Sequence, residues 1–196
     1  MNILQLNIDG IRNKFLELKH YMHKHKFHIA ILQETKLKHT QKTPRIPNYT
    51  AIRQDRQHGE GGGLITYINH NISYIEKTQH IRTLIQADRH TELQAFNIKT
   101  GHNKHITIIN TYIPPEHSPG LPAHYTVRLQ ELNTLPDILL GGDFNAKHTD
   151  WYAHQDITQR GTDIITQLDQ LYILNNTEMH THTYHTKLIL DSPHQT

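Results

Sequence analysis

The feature that most constrains this chain is a repeated local pattern: short apolar runs of strand length, each closed by polar residues or glycines. HIAIL, LITYI, ITIIN and DILLG are the clearest cases. Runs of this kind, rich in β-branched side chains, suit strands covered on both faces by other layers. None is long enough to cross a bilayer as a helix, and no membrane partner is expected. With 196 residues there is material for one sizeable core, so residues 1–196 read as a single domain. The chain contains no cysteine, which excludes disulfides and thiolate metal sites and leaves packing to stabilise it. The opening MNILQLNIDG has neither a basic n-region nor a long apolar h-region, so the expected location is inside the cell.

Charge alone says little about partners. The formal net charge is +2 with histidines neutral, too small to diagnose nucleic-acid binding by itself. The 19 histidines gain positive charge as pH falls toward about 6, which would strengthen any affinity for phosphate. Their scatter reads as compositional bias. Two tighter groups occur, His20, His23, His25 and His28, then His180, His182 and His185; the first lies on a predicted helix and the start of the next strand, mostly on the polar side, which speaks against zinc there.

Residues 2–8 read as a buried strand that ends at the turn pair Asp9-Gly10. A helix follows, because Ile11, Phe15, Leu18 and Met22 share one face while Lys14, Lys19 and Lys24 face water. Residues 28–33 form a second strand that delivers Glu34 at its end, and 36–48, with prolines and lysines, reads as an exposed loop. Strands are expected near 49–53, 64–68, 93–98 and 106–112, the last ended by Ile113-Pro114-Pro115 because proline cannot donate to a ladder. A helix around 125–135, a short strand at 137–140 and an amphipathic helix at 161–171 come next. The tail, with Thr183-Tyr184 and 188–190, suggests a final strand or hairpin. Adjacent strands mixed with helices favour an α/β sandwich over a purely parallel sheet.

Three strand ends deliver polar residues: Asn7, Glu34, and Asp143 with Asn145. Strand C-termini are where α/β folds place their sites, since the core fixes the backbone while the side chains meet a cleft. Glu34 and Asp143 offer hard oxygen ligands, and Mg2+ takes few carboxylates together with water and phosphate oxygens. In an extended segment Asp143 and Asn145 would point the same way. Taken singly, Asn7 and Asn145 are ordinary turn residues, Glu34 a solvated strand end and Tyr112 a strand aromatic; their combination is what points to a site. Gly61, Gly62 and Gly63 read as a tight turn, since no Gly-Lys-Ser/Thr follows to make a phosphate loop.

The string GGDFNAKH, followed by Trp151 and by Gln159-Arg160-Gly161, resembles the GDFNAHH…W…RG signature of the endonuclease domains of jockey-like non-LTR (LINE-type) retrotransposons, within the endonuclease/exonuclease/phosphatase family. LQLNIDGIRNK, IAILQETKL, INTYIPP and the glycine run before LITYI agree in order and spacing. The resemblance implies a four-layer α/β sandwich of two mixed sheets packed face to face with helices outside. It implies Asn7 at the metal site or scissile phosphate, Glu34 as a Mg2+ ligand, with Mn2+ as a substitute, and Tyr112 steadying a phosphate oxygen. Asp143 would orient or deprotonate the attacking water, Asn145 would position it, and Thr183 would buttress the site. The implied activity is nicking of duplex DNA, in a nuclear setting, beside a reverse transcriptase domain on the same chain in a full-length element. A lipid or inositol phosphatase on the same fold fits GDFNAKH with Trp151 less well.

The pattern departs from the family at the C-terminal end. HTKLILDSPHQT resembles a family strand that carries a catalytic aspartate, and it sets Lys187 where that aspartate belongs; Asp191 is out of register unless the strand slips by an even number of residues. No Ser-Asp-His triplet occurs in the chain. The expectation is a domain incomplete at its C-terminus, lacking its last strands. Losing such an acid–base pair costs on the order of 10²–10⁴ in rate. The alternative is therefore a catalytically degenerate domain that binds DNA or a partner without cleaving.

Overall fold

Two mixed sheets stack face to face in this computed structural model, with helices on the outer surfaces. The structure describes residues 1–57, 61–101, 104–118, 120–121, 127–150 and 157–168, and the backbone of two further strands at 173–175 and 186–188. The first sheet contains β1 (Ile3–Asn7), β2 (Ile29–Gln33), β3 (Tyr49–Gln54) and β4 (Leu64–Asn69), in the order β1-β2-β4-β3. The second contains β5 (Tyr74–Glu76), β6 (Glu92–Gly101), β7 (Lys104–Tyr112), β8 (Ile138–Asp143), β9 (Ile173–Asn175) and β10 (Thr186–Leu188), in the order β5-β6-β7-β8-β10-β9. One parallel pair lies in each sheet, β1 with β2 and β7 with β8; the other described pairings are antiparallel.

The period-two alternation of each strand sorts its side chains between layers. Ile29, Ile31 and Ile68 from the first sheet meet Phe96, Ile98, Ile108 and Leu139 from the second, forming the central layer. On the outer side of the first sheet, Ala30, Leu32, Ile65 and Tyr67 pack against Ile11, Leu18 and Met22 of α1 (Ile11–His25). Beyond the second sheet, Leu93, Ala95, Ile109, Ile138 and Leu140 meet α2 (Thr78–Leu84), a 3-10 segment (Leu129–Thr134) and α3 (Gln159–Gln167). Runs that look uniformly apolar in sequence are thus divided between two cores.

The α1 stripe follows the spacing in the sequence, and its end is set by Lys26, which adopts a left-handed conformation and donates its N–H to the turn behind. The strand β5 and helix α2 were not expected, since neither short segment shows enough periods to be read. The expected helix around 125–135 is a 3-10 segment at Leu129–Thr134, and residues 122–126 lie outside the described residues. The loop 36–48 is also less exposed than its composition implies. Leu37 and Ile46 are buried in the α1 core, and Arg53 ties the loop down by donating to the carbonyls of Lys38 and Gln41 at 2.7 and 2.6 Å.

Candidate active site

The two parallel pairs set the site. Asn7 stands opposite Gln33 at the end of β1 and β2, and Tyr112 stands opposite Asp143 at the end of β7 and β8. Both pairs stop at the same rim of the sandwich, with their inner faces toward each other. Asn7 joins them: its Nδ2 donates to Asp143 Oδ2 at 2.7 Å and to Glu34 Oε1 at 3.2 Å. Two carboxylates far apart in sequence therefore share one amide donor. Residue types change along the inner faces, from the apolar central layer to amides and hydroxyls and then to the charged rim.

That amide band holds the sheets together beneath the site. Gln33 Nε2 donates to Asn110 Oδ1 at 2.7 Å, Asn110 Nδ2 donates to Thr66 Oγ1 at 3.2 Å, and Thr66 Oγ1 donates to Gln94 Oε1 at 2.7 Å. These four side chains are buried, so each hydrogen bond is made where an unmade one costs about 1–3 kcal/mol. Gln5 adds a bond to Gln33 Oε1 at 2.8 Å. Strand ends braced in this way keep the side chains at the rim in fixed relative positions.

The rim itself is built from unusual backbone. Asp9, Glu34, Lys36 and Asn145 all have positive φ, between 45° and 53°. Non-glycine residues adopt this region uncommonly, and clusters of them occur where surrounding contacts hold a site in place. Here Gly10 N–H donates to Glu34 O at 2.8 Å, and Lys36 N–H donates to Gly62 O at 2.8 Å. The Glu34 carboxylate is half-buried and faces Lys36 Nζ at 3.4 Å, while Lys36 also pairs with Asp9.

Burial dominates the electrostatics of Asp143 and Tyr112. Burial pushes the Asp143 carboxyl above the usual carboxylate range, opposed by the Asn145 N–H and the Asn7 amide; the charge of Glu34 pushes it further up. Burial raises the Tyr112 phenol to about 12, with Glu34 and Asp143 adding to the rise and Arg56 opposing it. Tyr112 is thus a neutral hydroxyl at physiological pH, able to donate. Asp143, held above the ordinary carboxylate range, is suited to hold or take a proton from water.

Asn7, Glu34, Tyr112 and Asp143, each singled out in the sequence, are brought together. Asn145 is nearby but arranged otherwise than expected: β8 ends at Asp143, so the shared face of an extended segment does not apply. Its backbone N–H donates to Asp143 Oδ1 at 2.9 Å, while its side-chain amide donates to Ile113 O at 2.9 Å. Trp151, Thr183 and Asp191 lie outside the described residues. Lys187 lies in β10, paired in register with Gly141 of β8 and Leu174 of β9.

Three further contributors have no role assigned by the sequence, although Arg160 belongs to the quoted signature. Glu92 is buried opposite Tyr112 and receives Arg56 Nε and Gly63 N–H, each at 2.6 Å. Arg56 lies 5.1 Å from the Tyr112 ring centroid. Arg160 is buried and donates to the carbonyls of Pro114 at 2.7 Å and Phe144 at 3.0 Å, tying the loop after Tyr112 to the loop after Asp143. A signal existed for each: an acid heading an apolar strand, an arginine before the glycine run, and the Arg-Gly pair. The expected tight turn at Gly61, Gly62 and Gly63 is present, all with positive φ, and Gly62 approaches so closely that a Cβ would lie 2.3 Å from Glu92 Oε1.

Among the described residues the donors at the rim, Glu34, Asp143 and Asn7, are oxygen and amide groups, which fits a hard divalent cation. Among the described residues no three or more His, Cys, Asp or Glu side chains group to hold an ion unaided. A cation here would take Glu34, with the Asp143 carboxylate joined to it through the Asn7 amide, and leave positions for water and substrate oxygens.

A family model of the Endonuclease/Exonuclease/phosphatase family matches residues 4–187. Among curated proteins no sequence matches. The fold is similar to the endonuclease domain of TRAS1, a telomere-specific non-LTR retrotransposon, at TM-score 0.63 and 20% identity, covering 94% of this chain and 82% of that one. It is similar to the APE2 catalytic domain of Xenopus laevis at TM-score 0.60 and 17% identity, covering 96% and 82%. It is also similar to the 3′ phosphatase NExo from Neisseria bound to a product DNA hairpin, at TM-score 0.62 and 14% identity, covering 96% and 86%. At these identities the likeness is one of fold, the sandwich of two mixed sheets. The match over residues 4–187, with hydrolytic nucleases and phosphatases sharing the architecture, settles the assignment: the chain belongs to the endonuclease/exonuclease/phosphatase family.

Proposed function

We infer that the chain is a divalent-metal-dependent endonuclease domain acting on duplex DNA, of the kind that nicks a target site for a non-LTR retrotransposon. The observation that carries this reading is the Asn7 bridge between Glu34 and Asp143, with Tyr112 beside them. Mg2+, or Mn2+ in its place, would be held by Glu34 with Asn7 adjacent, and when bound it supplies charge neutralisation at a phosphate oxygen. Asp143 orients the attacking water and accepts its proton; its raised proton affinity suits that task. Tyr112 donates its hydroxyl to a non-bridging phosphate oxygen. Asn7 holds the two carboxylates in relation to each other. In a full-length element a reverse transcriptase domain would use the 3′-hydroxyl left by the nick, and the setting would be nuclear.

A supercoiled-plasmid assay with Mg2+ tests the reading, run beside inositol phosphate and simple phosphomonoester substrates. Conversion to open circles that EDTA stops supports it; phosphate release from the small substrates with intact plasmid would reassign the chain to phosphatase chemistry.

One observation favours a second reading, a domain that binds DNA with little cleavage. Register sets Lys187 opposite Gly141, two residues before Asp143, at the position where the resemblance calls for an acid. Lys187→Asp discriminates the two. On the degenerate reading it raises nicking by about 10²-fold or more, the size of a restored proton-transfer role; on the active reading it leaves the rate within a few-fold.

A further inference from the structure

A cleft of about 390 Å³ opens between α1 and the 36–48 loop, lined by Arg12, Phe15, Gln41, Lys42 and Pro44. That volume falls in the range of small-ligand sites, and the chemistry described above makes no use of it. Both walls start at the candidate active site. The helix α1 begins just after Asp9-Gly10, whose glycine N–H donates to Glu34 O, and the loop begins at Lys36, two residues past Glu34. Five residues separate Arg12 from Asn7, so their Cα atoms are at most about 18 Å apart, the rise of about five nucleotides along one strand of B-DNA. A strand bound at the site has the length to reach the cleft.

The loop wall is held in place. Tyr67, fully buried, donates its hydroxyl to Pro44 O at 2.9 Å, and Lys38 N–H donates to the Gln41 side-chain oxygen at 2.9 Å. Phe15, half-buried, rests partly on the α1 core and also lines the cleft. Charge divides the neighbouring cations. Lys14 and Lys36 pair with Asp9, and Lys36 with Glu34 as well, whereas Arg12 and Lys42 have no carboxylate partner among the described residues. Either cation alone, being exposed, is an ordinary solvated side chain. Together they share a cleft with an aromatic ring, a proline and an amide, and no carboxylate lines it. Two cations match an anion, and the ring matches a flat apolar partner; a nucleotide supplies both. A base inside a duplex is already stacked, so only an unstacked nucleotide can use the ring.

We propose that this cleft is a nucleotide pocket, which takes one unstacked nucleotide of the bound DNA, its base against Phe15 and Pro44 and its phosphate between Arg12 and Lys42. The Gln41 amide, whose oxygen is engaged by Lys38, keeps its N–H hydrogens for acceptors on the base edge. The proposal deepens the nuclease reading and rests on it for DNA as the ligand. Its geometry rests on the cleft alone. A pocket of this kind favours DNA that is locally unpaired near the nick over a perfect duplex.

The test is fluorescence anisotropy with two fluorescein-labelled DNA duplexes, one perfectly paired and one carrying a single-nucleotide bulge, in EDTA so that neither strand is cut. The parent chain should bind the bulged duplex about 5-fold or more tightly than the perfect one, the least that stacking one base on an aromatic ring is worth. Phe15→Leu, which keeps an apolar contact with the α1 core, should abolish that preference, and Phe15→Tyr should retain it. Arg12→Gln and Lys42→Gln should each lower the slope of log Kd against log salt for the bulged duplex by about 0.9. Equal affinity of the parent for both duplexes, or a preference that survives Phe15→Leu, would overturn the proposal. Lowered salt slopes with no effect of Phe15→Leu would also overturn it, leaving a contact to the backbone alone. Binding is read without cleavage, so a parent that shows the preference but fails to nick plasmid sinks the nuclease reading and leaves the pocket standing. A parent that nicks but shows no preference sinks the pocket alone.

Discussion

At the residue scale, Asp143 is set against its own stability. Its carboxyl prefers the protonated form in the folded chain more than in the unfolded one, chiefly because of burial. A carboxyl whose folded pKa is raised stabilises the fold below its unfolded value and loses that contribution as pH climbs through the folded value. Asp143→Asn should therefore raise Tm at pH 7 to 8, and the gain should shrink toward zero as pH is lowered to about 4; a gain independent of pH would contradict the assignment. On the proposed nuclease reading, the same displacement should move the acid limb of the nicking profile above the usual carboxylate range, since proton transfer requires the ionised form. Stability and activity thus pull against each other at one side chain.

At the scale of elements, the loops after Tyr112 and Asp143 are joined by Arg160 and by the close seating of α3. A Cβ on Gly161 would lie 2.0 Å from the backbone oxygen of Lys147, a contact neither partner can relieve by rotating a side chain. Gly161→Ala should cost about 1–3 kcal/mol in a denaturant melt. Arg160→Met, which strips buried carbonyls of a charged donor, should cost about 1.5–3 kcal/mol. Cost without loss of nicking in a stabilised background would show that the pair is structural alone.

These elements also show what the sequence could reveal. Asn7, Glu34 and Asp143 were legible because each ends an apolar run, and the chain marks strand ends locally. Glu92 was not, because it begins a strand, and its importance comes from antiparallel pairing with Tyr112, a contact spanning a register no local pattern encodes. Asn145 was legible as a neighbour of the site but not in its geometry, since its positive φ breaks the alternation used to aim it. The short β5 and α2 carried too few residues for a period to emerge.

At the scale of the whole molecule, the space between the sheets does two things in sequence: an apolar layer holds the sandwich together, and the amide band beside it fixes the rim. Phe96, fully buried in that layer, should cost about 3–5 kcal/mol when replaced by alanine, whereas Leu16→Ala, at an 80% exposed position of α1, should change stability by less than about 0.5 kcal/mol. Equal effects of the two would mean that the sheets do not share the core described. The proposed activity requires Glu34 and Asp143 to act on one phosphodiester. Its most direct measurement is the plasmid nicking rate of Glu34→Ala, Asp143→Asn and the double variant in Mg2+. Side chains that work as one unit give a double variant no slower than the slower single one; losses that multiply, or full nicking by either single variant, would contradict a shared site.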